Sequence, residues 1–332
     1  MVSLVRNNLK KKRVLVTGAG GFIGSHLVKR LVENEAHVHI FDLPSSNYSR
    51  LNGIIHKFSI HEGDLANQKQ INRCIKKSKP EIIYHLAAFV NNERDLNLID
   101  RMIDVNLKGT INLINSLIKE KPDFKCFINT GTCEEYGDSK TPFRESQREI
   151  PVSPYSASKV ASTYFCQMIN KVTKLPIITL RPFLTYGPGQ DLHRFIPSLI
   201  VHCITGKDFK MTAGNQTREF NYIDDIIDAY ILAPYNKKAS GQVINIGNGI
   251  EYKIIEVAKK IVTMLGNPIR LHIGVLPNRP GETAHFFSSN EKAKKLLGWF
   301  PKVGLNEGLE RTITWYKKSK ENVSIAGVLE KA

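Results

Sequence analysis

Two stretches of the chain carry side chains able to move protons. "PYSASK" holds Tyr155 and Lys159, and "NTGTCEEYGDS" holds the adjacent pair Glu134 and Glu135. On a helix, the i, i+4 spacing sets Tyr155 and Lys159 on one face. A tyrosine with an ordinary pKa of about 10 is a poor base at neutral pH. A lysine one turn away, together with a positively charged ring in the site, favours the phenolate and brings it into working range. The glutamates follow the apolar run "KCFINTG". Such a pair is either a solvated turn or an acid–base group.

The elements that must position these groups begin with "VTGAGGFIG", where Gly18, Gly21 and Gly24 lie between a short β-branched strand, "RVLVTG", and an amphipathic helix. That spacing gives a tight turn and lets a pyrophosphate approach the backbone at a helix N-terminus, beside Phe22 and Ile23. Alone, a glycine triplet is weak evidence. Here Asp42 also closes the next strand, "IFD", where a carboxylate accepts from the ribose diol of an adenosine. Asp42 would repel a 2′-phosphate, so NAD is expected and NADP disfavoured. Asp64 and Leu65 in "EGDLAN" are placed near the adenine, and "HLAA", with Leu86, Ala87 and Ala88, ends the fourth strand against the cofactor.

The rest of the first half continues the alternation. "HVHIFDL", "EIIYHLAA", "KCFINTG" and "PIITLRPF" read as strands. Residues 67–79, a long stretch from "LNLIDRM" to "LIKE", and a segment near 153–172 read as helices. Near-continuous apolar strands alternating with helices predict a doubly wound parallel α/β sheet. After about residue 182, Gly and Pro in "TYGPGQ", "TAGNQ" and "PNRPGE" predict a smaller lobe of loops and short helices. Sheet-type elements return in "FNYIDDIIDAYILA" and "GQVINIG", so the two parts interleave. The expected division is a dinucleotide-binding domain over 1–182 and roughly 219–250, a substrate-binding lobe over 183–218 and 251–318, and a mobile tail over 319–332.

Bulk composition narrows the function classes. The 332 residues are 42% hydrophobic and 8% aromatic, ordinary for a soluble globular protein. The N-terminal stretch lacks a signal-peptide apolar block, and no apolar run is long enough to span a bilayer. Five cysteines, an odd number with no CxxC pair, suit a reduced cytoplasmic protein. Lys and Arg exceed Asp and Glu by 47 to 31, a net +16, but the basic clusters scatter and have no interleaved aromatics. Nucleic acid is therefore not the expected partner. His61, His193 and the other histidines lack metal-ligand spacing, and no metal is expected.

From "VLVTGAGGFIGSHL" to "KAKKLLGW" the chain resembles the extended short-chain dehydrogenase/reductase family, specifically its nucleotide-sugar epimerases and dehydratases. The resemblance is carried by "HLAA", "DVNLKGT", "PYSASK", "RPFLTYGPG" and "REFNYIDD". It implies a Rossmann-type fold, NAD(P) dependence, and a homodimer built on helices around 95–119 and 153–172. It further implies that Tyr155 takes the proton of the sugar C4 hydroxyl, that Lys159 also binds the nicotinamide ribose, and that Thr132 hydrogen-bonds the hydroxyl being oxidised. Glu134 matches the catalytic glutamate of 4,6-dehydratases, and Glu135 is then expected to face solvent or the dimer interface. Many dehydratases carry an aspartate where this chain has Cys133, and many relatives an asparagine where it has Leu184. Arg218 and Arg279 match arginines that clamp the nucleotide pyrophosphate, and Arg194 is placed near sugar or phosphate. The expected activity is 4,6-dehydration of a nucleotide-diphosphate hexose through a 4-keto intermediate, ahead of 4-keto-6-deoxysugar reduction and 4-epimerisation. A non-catalytic dinucleotide sensor is a remote alternative, because Thr132, Tyr155 and Lys159 are all present.

Overall fold

A strand bearing Val14, Leu15 and Val16, all fully buried, can lie only inside a sheet covered on both faces. That strand, β1 (Arg13–Thr17), is central in the computed structural model, which describes residues 9–278 and 283–322. The helix α1 (Phe22–Glu33) follows the glycine loop. Next come β2 (His37–Asp42), β3 (Ser59–Glu62), α2 (Gln68–Ser78) and β4 (Ile82–His85). After α3 (Gly109–Glu120), β5 (Cys126–Thr130), α4 (Pro154–Thr173) and β6 (Ile177–Pro182), the chain builds short elements before returning to the sheet. These are β7 (Thr185–Tyr186), α5 (Phe195–Thr205), β8 (Phe209–Met211), β9 (Thr217–Glu219), β10 (Asn221–Tyr222) and α6 (Ile223–Leu232). Strand β11 (Val243–Ile246) then joins β6 in parallel.

The seven strands run in the order β11-β6-β5-β4-β1-β2-β3, every pairing parallel. Strand periodicity splits their side chains between the two faces. Val14, Val16, Ile40 and Tyr84 pack with Leu27 and Leu31 of α1 and Ile226 and Ile227 of α6. Leu15, Phe41, Ile83 and Phe127 pack with Ile71 and Ile75 of α2, Leu113 and Leu117 of α3, and Ile169 of α4. This is the doubly wound sheet that the sequence predicts. The remaining elements, β12 (Glu251–Lys253), α7 (Ile254–Met264), β13 (Leu271–Ile273), α8 (Glu291–Leu297) and α9 (Leu305–Asn322), lie C-terminal to it.

Three expectations change. "FNYIDDIIDAYILA" is a two-residue strand followed by the helix α6, not a sheet element. Its residues are buried almost all round, which erases the polar face that marks an amphipathic helix, while Asp224 and Asp225 in the first turn complement the helix dipole. The long helix before β5 is interrupted by a π-turn over Ile103–Lys108. The tail does not begin at 319, since α9 continues to Asn322, and residues 323–332 lie outside the described residues. Among the described residues no helix is long and apolar enough to cross a membrane. All five cysteines are buried and free.

Two links hold the later elements to the sheet. Arg50 donates through Nε to the Gly189 carbonyl (2.8 Å) and through Nη1 to the Gly20 carbonyl (3.3 Å), and pairs with Asp191. Asp225 accepts from the Lys302 and Val303 amides (both 3.0 Å), while the Trp299 indole donates to the Asp225 carbonyl (2.8 Å). Substituting Asp225 by alanine leaves two amides without partners and is expected to cost about 2–4 kcal/mol in urea unfolding. A loss under about 0.5 kcal/mol would show that residues 299–303 are held by other contacts.

Candidate active site

The candidate site residues gather around the carboxyl ends of β1, β4 and β5, where an open parallel sheet offers its crevice. At β1, Gly18 adopts φ +73°, and an added Cβ would lie 2.6 Å from the Ala87 amide nitrogen. An added Cβ at Gly24 would collide with the Gly18 carbonyl oxygen. The loop therefore closes only with glycine at both positions. No side chain caps the N-terminus of α1 at Gly21, which leaves amides of its first turn, at Phe22 and Ile23, for an anion. Asp42, 7% exposed, accepts from the Gly18 amide and from the Gly20 amide (3.4 Å). Burial pushes its carboxyl up to about 6, against the pull of those amides. A carboxylate has about four acceptor sites, so capacity remains for a ribose diol. The cradle fits a dinucleotide.

Leu65 is buried against Gly109, whereas Asp64 is exposed and accepts from the Ala66 amide. At β4, the Leu86 amide donates to the Thr17 carbonyl (3.1 Å) and the Ala87 amide to the Thr17 hydroxyl (3.2 Å); Ala88 follows. His85 is buried between the hydroxyls of Thr17 at Nδ1 (2.8 Å) and Thr110 at Nε2 (2.9 Å). Thr110 donates to the Asn106 carbonyl (2.7 Å), so the network assigns the proton of His85 to Nε2. Burial holds His85 neutral, down to about 3.

Helix α4 starts with a Ser153–Ser156 capping box and Pro154 in its first turn, which fixes the orientation of the residues that follow. Tyr155 and Lys159 are 7% and 3% exposed. The Tyr155 phenol is pushed above its ordinary value by burial and by the nearby Glu134 and Glu135, while a hydrogen bond with the Thr132 side chain opposes this. Burial likewise pushes the Lys159 ammonium down, opposed chiefly by Glu135.

The neighbouring glutamates divide. Thr132 caps a short turn, Cys133–Tyr136, and its hydroxyl accepts from the Glu134 amide (3.3 Å). Glu134 is half-buried, and its charge is felt at both Tyr155 and Cys133. Glu135 does not face solvent or a partner. It is fully buried and accepts from the Thr132 amide (2.8 Å), the Thr163 hydroxyl (2.9 Å) and Arg181 through Nε (3.0 Å) and Nη2 (2.6 Å). A guanidinium on a buried strand requires such a partner. Lone Arg181 in the apolar run "PIITLRPF" was the available signal for this pair. The sequence reading did not name Arg181, nor Glu149, which accepts from it at 2.6 Å.

Cys133 is buried beside the rings of Tyr136, Phe143, Phe183 and Phe286. Burial holds its thiol well above the usual range. Leu184 offers only its backbone carbonyl, which accepts from the Asn221 amide (2.8 Å). Arg218 lies in β9, its Nη1 donating to the carbonyls of Thr217 (2.7 Å) and Thr283 (2.9 Å). Arg194 is exposed at the start of α5, and Arg279 lies outside the described residues. No group of three or more His, Cys, Asp or Glu among the described residues has metal-binding geometry.

Comparison with known proteins agrees with this geometry. The family described as GDP-mannose 4,6 dehydratase matches residues 15–312. dTDP-D-glucose 4,6-dehydratase of Homo sapiens is 30% identical over 330 residues, covering 94% of this chain and 91% of that protein. The chain spans about half (48%) of the length of a trifunctional UDP-glucose 4,6-dehydratase, epimerase and reductase of Arabidopsis thaliana, to which it is 29% identical over 94% of its own length. Among solved structures, epimerase Mth375 of Methanothermobacter thermautotrophicus superposes with a TM-score of 0.87 at 28% identity, over 97% of this chain and 96% of that one. dTDP-glucose 4,6-dehydratase of Bacillus anthracis, in complex with NAD, gives 0.82 at 28% identity, over 93% and 98%.

The loop geometry makes a direct prediction. Gly24→Ala forces its methyl into the Gly18 carbonyl and is expected to weaken dinucleotide binding at least about tenfold, since overpacking of this kind costs about 1–3 kcal/mol. Calorimetric titration of the folded variant checks this. Unchanged affinity would show that the loop is not the binding cradle.

Proposed function

The chain belongs to the GDP-mannose 4,6 dehydratase family, within the nucleotide-sugar group of extended short-chain dehydrogenases/reductases, and from that membership we propose that it catalyses 4,6-dehydration of a nucleotide-diphosphate hexose. The observation that carries the reading is Glu134: a half-buried carboxylate beside Tyr155, on a turn whose other glutamate is consumed by Arg181. NAD is the proposed cofactor, supported by Asp42 at the end of β2 and by the NAD complex of the Bacillus anthracis relative. Gly18, Gly21 and Gly24 would hold its pyrophosphate and Asp42 its adenosine ribose, with Lys159 at the nicotinamide ribose. Bound there, NAD would supply the hydride acceptor for sugar C4 and the hydride donor for C6 that these side chains lack.

The chain's own residues do the proton work. Tyr155, as phenolate, takes the C4 hydroxyl proton while Thr132 orients that oxygen, and Lys159 and the charge of the oxidised ring oppose the burial that keeps the phenol protonated. The resulting 4-keto group acidifies the C5 proton, which Glu134 removes. Because Cys133 keeps its proton, protonated Glu134 also delivers a proton to the departing C6 hydroxyl, which leaves as water. C5 is then reprotonated from solvent. Arg218, Arg194 and Arg279 are proposed for the nucleotide diphosphate and sugar, supported by the fit of a guanidinium fork to phosphate. A second reading, 4-epimerisation, is favoured by the overlap with the archaeal epimerase and by the absence of an acid at position 133.

The proposed partner is a second copy of this chain. Tyr164, Phe165, Met168 and Val172 on α4 are 41–72% exposed, and Ile99 on the neighbouring helical turn is 40% exposed. Such a contiguous apolar face on two helices suits an obligate dimer. A reduced cytoplasmic setting is supported by the five free, buried cysteines.

Incubating UDP-glucose, dTDP-glucose and GDP-mannose with the protein and NAD in heavy water tests the reaction by mass spectrometry. Loss of water with one deuterium incorporated is expected from one of them. Glu134→Gln should abolish that loss, and Tyr155→Phe should slow turnover about 10²–10⁴-fold. An unchanged formula with altered sugar retention would establish epimerisation, and inertness until a 4-keto-6-deoxysugar and NADPH are supplied would establish reduction. NAD affinity should fall as pH drops through about 6, where Asp42 takes up a proton. Phe165→Glu combined with Met168→Glu should yield a monomer by sedimentation, and a persisting dimer would exclude this face.

A further inference from the structure

We propose that Glu135 is a positioning residue of this site: its carboxylate, held by Arg181, fixes the Thr132 turn to α4 and serves as the counter-charge of the Lys159 ammonium. The inference rests on the reading that Tyr155 and Lys159 carry the oxidation step.

One oxygen of the Glu135 carboxylate accepts from the Thr132 amide, so it sets the backbone from which the Thr132 hydroxyl and Glu134 project. The other accepts from Thr163, one helical turn beyond Lys159 on the same face of α4, and from Arg181 on β6. A single side chain thus ties together the turn, the helix and the strand. An isolated Glu–Arg pair would explain only the strand contact.

Arg181 faces two carboxylates, Glu135 and Glu149, so the buried cluster carries a negative surplus that the guanidinium alone does not cancel. Glu145 is a third acidic group near Arg181, with Lys292 beside it. Glu134 bears on Tyr155, and among the described residues Glu135 is the carboxylate that bears on Lys159. His85 of β4 is neutral between two hydroxyls, Cys166 on α4 is a buried thiol pushed up to about 12, and Tyr155 is a buried phenol. On the π-turn packed against α4, Asp104 and Lys108 pair with each other at the surface. Burial depresses Lys159, and Glu135 is the largest influence opposing it. Without that carboxylate the amine would lose its proton at a lower pH, and the phenolate its supporting cation.

The test follows the Nζ signal of Lys159 by ¹⁵N NMR in lysine-labelled protein saturated with NAD, the signal being assigned by its loss in Lys159→Met. In Glu135→Gln the midpoint of deprotonation should fall by about one pH unit, as expected for loss of a nearby opposite charge. Glu135→Asp, which keeps the charge, should recover most of that shift. In parallel, the alkaline limb of the rate profile with the turned-over sugar should move to lower pH in Glu135→Gln. Should Glu135→Gln fail to fold, Glu135→Gln/Arg181→Met removes the buried pair together and carries the same measurement. An unmoved Lys159 midpoint overturns the proposal, as does an unmoved alkaline limb in an active enzyme. A shifted midpoint in a protein that converts none of the sugars leaves the counter-charge intact and rejects the oxidation reading instead.

Discussion

One chain of hydrogen bonds ties the sheet to the helices around the candidate site. It runs from the Ala87 amide to the Thr17 hydroxyl, on to His85, to Thr110, and ends at the Asn106 carbonyl. Each member donates in one direction, so the whole line is satisfied with a neutral imidazole at its centre. Any charge there would leave a proton without an acceptor in a dry interior. The line joins β1, β4 and α3. Ser162 of α4 reaches it through Thr110 (3.3 Å), and the Asn106 amide meets Ser158 of α4 (3.0 Å). The glycine loop and the Tyr155 helix are therefore referenced to one rigid object, which is how groups distant in sequence hold a common geometry.

The π-turn over Ile103–Lys108 belongs to the same design. Widening the helix by one residue places Asn106 so that its side chain holds the Phe89 amide (2.8 Å) and carbonyl (3.1 Å). Such bulges recur at functional sites. The energetic cost of the local distortion is offset by fixing the loop after β4, beside the cradle.

How much of this could be read from the sequence depends on whether a residue's neighbours are local. The glycine loop, Asp42 and the Tyr155–Lys159 pair announce themselves because strand, turn and helix are contiguous around them. α6 was misread as sheet because burial on all sides removes the periodic polar face on which a helix is recognised. Glu135 was misplaced for a different reason. Its partner Arg181 lies 46 positions away on another strand, and two adjacent glutamates look alike until the turn buries Glu135 against the guanidinium and leaves Glu134 half-buried. Arg181 itself gave the clue, since a lone guanidinium in an apolar strand must find a carboxylate.

The five cysteines have a practical consequence at the bench. Each is buried and each thiol is held above its ordinary value by burial, Cys74 and Cys166 to about 12 and Cys203 to about 11, with Cys126 and Cys133 higher still. Only a thiolate attacks a maleimide or an iodoacetamide at a useful rate. A cysteine introduced on an exposed surface would thus be the thiol that such reagents find, and spin or fluorescent labels can be attached without first stripping the native five.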